Sequence, residues 1–167
     1  MIRVGLTGSI GTGKSTTANM AREMGVPVFD TDACVRELEQ RDVIQGQLCS
    51  HFQDAVIDGQ IDRAQLRWIV FADAARMKIL HGIYHPVVAE ERRAFFDDMD
   101  ARGHGVALAD VPLIFEINQQ DQYDYIIATH VPEDIQKRRV LARPNMDEAS
   151  FEANRQAMLG DGCVRVS

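Results

Sequence analysis

The sequence predicts an α/β fold, three layers of α/β/α around a mostly parallel sheet, and three observations lead to it. Short apolar or mostly apolar runs at residues 2–6, 26–29, 106–111 and 125–129 read as buried strands. Helix-forming segments separate them, as parallel pairing requires. The first run passes into Gly8-Ser9-Ile10-Gly11-Thr12-Gly13-Lys14-Ser15 and then into a helix-forming stretch, a strand–loop–helix with the spacing G-x-x-x-x-G-K-S.

That spacing has a direct physical meaning. Its glycines let successive backbone N–H groups turn around an anion, the helix N-terminus adds partial positive charge, and Lys14 adds a full one. Ser15 can place its hydroxyl on a magnesium ion between terminal phosphates. The dinucleotide pattern G-x-G-x-x-G fails, because Thr16 stands where its third glycine belongs. Gly8, Ser9, Ile10, Gly11, Thr12, Gly13, Lys14, Ser15 and Thr16 are therefore expected to hold a nucleoside triphosphate.

The first helix should run to about Met24 and stop at Gly25. The second strand ends at Asp30-Thr31-Asp32, and the carboxyl end of a strand beside a phosphate loop is where open α/β sheets bind ligands. From Ala33 to Arg102 the pattern is helical. Ile44, Leu48 and Phe52 recur every four residues, Gly59 marks a turn, and Asp62 reads as the N-cap of a helix carrying Leu66, Ile69 and Val70. Met77, Leu80 and Tyr84 form a further stripe. Pro86 is expected to open another helix, with Val88, Phe95 and Met99 on or near one face. So long a stretch exceeds a simple crossover and reads as an inserted helical subdomain, residues 33–103, with the core at 1–32 and 104–167. Pro112 ends the third strand. Pro132, Glu133 and Asp134 open a helix that carries Lys137, Arg138, Arg139 and Arg143 and stops before Pro144. An amphipathic segment at 147–158 precedes the tail.

Composition narrows the partners. With 18 Lys and Arg against 25 Asp and Glu, the net charge of −7 offers no global basic field for nucleic acid. The longest apolar run, residues 68–72, is far too short to span a bilayer. Cys34, Cys49 and Cys163 are odd in number and lack metal-ligand spacing, which suits reduced thiols. The first strand begins at the N-terminus without room for a signal peptide, so a cytoplasmic location is expected.

Asp32, with Asp30, is the candidate to orient or deprotonate an attacking hydroxyl and to order magnesium waters; the competing role is an N-cap for a helix at Ala33. Asp110 lies where an acid holding magnesium through water would stand, against the alternative of a buried, hydrogen-bonded Asp. Arg139 and Arg143, four apart, share a face that can close over a triphosphate, where arginine stabilises charge developing on the transferred group. His85 is either a structural hydrogen-bond partner or a substrate contact.

Taken together, these residues resemble the dephospho-CoA kinases. The resemblance is carried by residues 5–16, Asp30-Thr31-Asp32, Asp58-Gly59 with Asp62-Arg63, His85-Pro86, Pro112-Leu113-Ile114-Phe115-Glu116, and Gln136 followed by Arg139 and Arg143. It implies transfer of the ATP γ-phosphate to the ribose 3′-hydroxyl of dephospho-CoA, with Mg2+, on a core like that of nucleoside monophosphate kinases. It further implies a helical subdomain for the acceptor and a lid at about 138–150. Lys14 would hold phosphates, Asp32 would face the acceptor hydroxyl, Arg139 would come from the lid, and His85, Pro112 and Glu116 would lie on the acceptor side. Monomers or weak homo-oligomers are expected. The connection near Glu39-Gln40-Arg41-Asp42 is shorter than is usual in the family. The family is expected to continue beyond this end with a basic segment and a fifth strand; here the resemblance fades after Arg155, and Gly160 to Ser167 is unlike that continuation. The rival expectations are another small-molecule kinase of this core and a nucleotide-binding protein inactivated by its altered ending.

Overall fold

The computed structural model describes residues 1–112, 114–115, 117–142, 148 and 151. The chain divides into two units, one comprising Met1–Asp30 and the described residues from Phe96, the other Thr31–Phe95.

Among the described residues the first unit is built on a four-stranded parallel sheet. Its strands are β1 (Ile2–Gly8), β2 (Val28–Asp30), β5 (Val106–Asp110) and β6 (Tyr125–Thr129), in the order β2-β5-β1-β6. Side chains alternate across β1 as a strand's two-residue period demands. Val4 and Leu6 join Ala18 of α1 (Lys14–Glu23) and Leu108 in one cluster. On the other face Gly5 lies so close to Ile114 that an added Cβ would sit 2.7 Å from Ile114 Cδ1. Tyr123 covers the same region and meets Phe96 edge-on at 6.4 Å. The sheet is thus apolar on both faces, which explains the near-continuous apolar reading of β5. α6 (Glu133–Leu141) follows β6, and Pro132 is its N-cap.

Register sets the functional end. In the parallel ladders Leu6 is opposite Asp110, and Asp110 is opposite Asp30. Gly8 is opposite Thr129. The phosphate loop, the two acids and Thr129 therefore share the carboxyl end of one sheet.

The second unit begins with α2 (Thr31–Leu38), α3 (Asp42–His51) and a short hairpin, β3 (Val56–Ile57) and β4 (Gln60–Ile61). It continues into α4 (Arg63–Ala72) and α5 (Ala74–Ala101), the latter running on past the unit's last residue, Phe95. Leu38, Leu48, Phe52 and Ala55 are fully buried, with Ile44, Leu66, Ile69 and Val70 nearly so. Asp62 caps α4 as expected, accepting a bond from Gln65 N at 2.7 Å. Glu39 pairs with Arg63 and accepts the Tyr84 hydroxyl at 2.8 Å, so one carboxylate links the end of α2 to α4 and α5.

Two expectations need correction, and a third gains detail. Pro86 does not open a helix; it lies inside the 28-residue α5. It removes one N–H and crowds the Gly82 carbonyl, yet buried Ile83, Tyr84 and Val88 hold the helix on both sides. The buried stripe runs Val88, Arg92, Phe96, Met99, with Phe95 half-buried beside it. α2 begins at Thr31, not Ala33, which puts Asp32 in its first turn instead of at an N-cap. Asp58 and Gly59 both have positive φ, 51° and 79°, and close a two-residue hairpin where only a turn was expected. The segment at 147–158 lies outside the described residues apart from Glu148, which pairs with Lys137, and buried Phe151.

Candidate functional site

The loop from Gly8 to Lys14 is shaped for an anion by its backbone. Gly13, at φ 99°, is the N-cap of α1, and the first helical bond runs from Thr17 N to Gly13 O at 3.0 Å. The N–H groups of Lys14, Ser15 and Thr16 precede that bond and so have no partner within the helix. No acidic residue occupies the first turn of α1 to compete for them. Gly11, at φ 79°, needs glycine twice over, because an added Cβ would also lie 2.7 Å from Val140 Cγ2.

Lys14 forms an ion pair with Asp110, and their side chains are 15% and 10% exposed. This nearly buried carboxylate balances the buried ammonium at the foot of the loop. Asp110, expected near magnesium, is therefore in the first place the counter-charge of Lys14. Asp30, its ladder neighbour, receives Arg22 Nη2 at 3.4 Å. Asp32 is exposed in the first turn of α2, where the helix dipole favours its charge. Between the two acids Thr31 Oγ1 is buried with no hydrogen-bond partner among the described residues, a polar demand that a ligand hydroxyl or water can meet. Ser15 is exposed in the first turn of α1. No group of three or more His, Cys, Asp or Glu side chains able to hold a metal occurs among the described residues. The donor set suits magnesium held by a hydroxyl, phosphate oxygens and water, which needs few protein ligands.

Arg139 is exposed in the last turn of α6. Arg143 and Glu116 lie outside the described residues. Pro112 accepts the Thr7 hydroxyl at 3.0 Å through its carbonyl. His85 stacks on His81, with centroids 4.6 Å apart and planes 19° from parallel. Burial lowers the pKa of both imidazoles, and the His81 charge lowers that of His85 further. The His81 partnership is visible in the sequence only as an i, i+4 spacing, and that spacing acquires meaning once Pro86 is placed within a helix. Cys34 is a buried thiol pushed up to about 11 by burial, then by Glu91 and Glu37, and is therefore a poor nucleophile.

Two residues absent from the expected site touch the loop directly. Gln136 Nε2 donates to Ser9 Oγ at 2.5 Å and to Ile10 O at 2.8 Å. Thr12 Oγ1 lies 2.7 Å from both Ser9 O and Thr129 Oγ1. The signal for Gln136 in the sequence is a lone amide one helical turn ahead of Arg139. The Ser9 side chain is thus engaged by α6.

Residues 2–161 match a family model described as dephospho-CoA kinase. The dephospho-CoA kinase of Mesorhizobium japonicum is 42% identical over 92% of this chain and 77% of its own length. That of Rhodopseudomonas palustris is 39% identical over 92% and 76%. Among solved structures, TT1252 from Thermus thermophilus superposes with a TM-score of 0.80 at 32% identity, over 93% of this chain and 79% of that one. Dephospho-CoA kinase from Campylobacter jejuni has a TM-score of 0.56 at 19% identity, over 93% and 98%, and shares the fold.

Proposed function

The chain belongs to the dephospho-CoA kinase family, and on that premise we propose that it transfers the γ-phosphoryl group of ATP to the ribose 3′-hydroxyl of dephospho-CoA. The observation that carries this reading is the family match, which spans both the phosphate loop and the acids Asp30 and Asp32. The bond from the β,γ-bridging oxygen to the γ-phosphorus breaks, a bond from the 3′-oxygen forms, and the hydroxyl proton goes to a base. ADP and CoA are the products.

Each residue then has a physical task. The N–H groups at the start of α1 bind phosphate oxygens, and Lys14 turns from Asp110 toward the β- and γ-phosphates. Asp32 takes the proton; in its favour are its exposure and its place two residues beyond Asp30, the ladder neighbour of Asp110. Arg139 stabilises charge on the transferred group. Ser15 and, through water, Asp110 would hold magnesium, which when bound neutralises charge on the phosphate oxygens. The resemblance assigns acceptor contacts to His85, Pro112 and Glu116.

The test is direct. Purified protein given ATP, Mg2+ and dephospho-CoA should release ADP and CoA. Phosphorylation of adenosine or shikimate in place of dephospho-CoA, or binding of both ligands with no ADP released, would overturn the assignment. Asp32→Asn should reduce turnover by ~10²–10⁴ while leaving thermal stability nearly unchanged, because the side chain is exposed. Near-normal turnover would remove Asp32 from the chemistry.

A further inference from the structure

The phosphate loop is fastened from the side of β6 and α6 by contacts that phosphate binding does not require. Gln136 is only 8% exposed, so its amide must find partners inside the protein, and it finds them on the loop. Thr129 adds a second fastening through Thr12, whose hydroxyl reaches on to Ser9 O. Val140, one turn beyond Gln136, packs against Gly11 closely enough to forbid a Cβ there.

The bond to Ile10 O has a consequence for the backbone. A trans peptide is planar, and its C=O and N–H point in opposite directions. With the Ile10 carbonyl held against Gln136, the N–H of Gly11, in the same peptide unit, points away from α6. Likewise, Ser9 O is held by Thr12, which directs the Ile10 N–H away from Thr12. These donors are those that a phosphate loop turns toward an anion.

We propose that Gln136 is a positioning residue that sets the Gly11 N–H for phosphate and fixes the arginine-bearing end of α6 against the loop. The proposal rests on the nucleotide reading given above. Arg139 follows Gln136 by three residues, about 4.5 Å along the helix axis, so the same two bonds set the base from which that arginine reaches. Helix and loop are thereby held in one register before substrate arrives.

Calorimetry on the full chain tests this, with MgATP and dephospho-CoA titrated separately and each variant's melting temperature recorded without ligand. Gln136→Met keeps length and packing but removes both donors. Gln136→Glu keeps the shape but sets a carboxylate against the Ile10 carbonyl. Losing two hydrogen bonds should weaken MgATP binding about tenfold in the Met variant and more in the Glu variant. Dephospho-CoA affinity should stay within about twofold. MgATP affinity unchanged in both variants, or equal losses for the two ligands, would overturn the proposal. Should Gln136→Met fail to fold, the Thr129 pair decides. Thr129→Val should weaken MgATP binding while Thr129→Ser, which keeps the hydroxyl, restores it; identical affinities would count against the fastening. A wild-type chain that binds MgATP but leaves dephospho-CoA unphosphorylated defeats the assigned reaction and leaves this proposal standing.

Discussion

Lys14 and Asp110 carry opposite charges where neither side chain is more than 15% exposed, so each depends on the other. Removing one leaves an uncompensated buried charge, and breaking such a pair costs about 3–5 kcal/mol. Lys14→Met should therefore lower the free energy of urea unfolding by an amount in that range, besides abolishing phosphate transfer. Adding Asp110→Asn should recover most of the stability and none of the activity. A Lys14→Met protein as stable as the wild type would show that the pair does not hold the loop's foot. The G-K-S spacing identifies Lys14 at once, but its bond to Asp110 depends on a parallel register between residues 96 positions apart.

Among the elements, α5 shows how burial overrides local propensity. A proline inside a helix costs about 3 kcal/mol, yet α5 passes through Pro86 because apolar side chains on both sides are buried. That continuity places His81 and His85 one turn apart and stacks them. Their ordinary value is 6.5, and the folded chain holds both below it. Between the folded and unfolded values the unfolded chain binds more protons, so stability falls as pH drops through 6.5 and levels off only below the folded values. The melting temperature of the wild type should accordingly fall more between about pH 7.5 and pH 5 than that of His81→Gln/His85→Gln. Equal falls would mean that the imidazoles do not couple to folding. The hairpin at Asp58-Gly59 was legible only as a turn, since strands of two residues leave no measurable alternation.

For the whole molecule, the decisive property is that the loop, α1, β6 and α6 belong to one unit, whereas α2 to α4 and most of α5 belong to another. A ligand held by the first unit should stabilise the folded chain whether or not an acceptor is present. MgATP at about 100 times its dissociation constant contributes about 2.7 kcal/mol, or about 5–10 °C in melting temperature for a chain of this size. Asp32→Asn should keep that shift, since its charge lies outside the unit that contains the loop, while Lys14→Met should lose it. A shift that required dephospho-CoA as well as MgATP would contradict a nucleotide site complete within the first unit.

The sequence by itself determined the strand–loop–helix at the N-terminus, the parallel α/β core, the position of Asp30 at the end of β2 and the Asp62 cap, because each depends on residue types within a few positions of one another. Spacing of glycines, a lysine at a helix start and a run of apolar residues act locally and so can be read locally. Only the tertiary structure decided that Asp110 pairs with Lys14, that α5 runs unbroken through Pro86 with Phe96 inward, and that Gln136 and Thr129 fasten the loop. Those outcomes follow from strand register and helix packing, which bring together residues more than a hundred positions apart in the case of Gln136 and Thr129. No local pattern encodes such a contact, because its free energy exists only after both partners have been buried together.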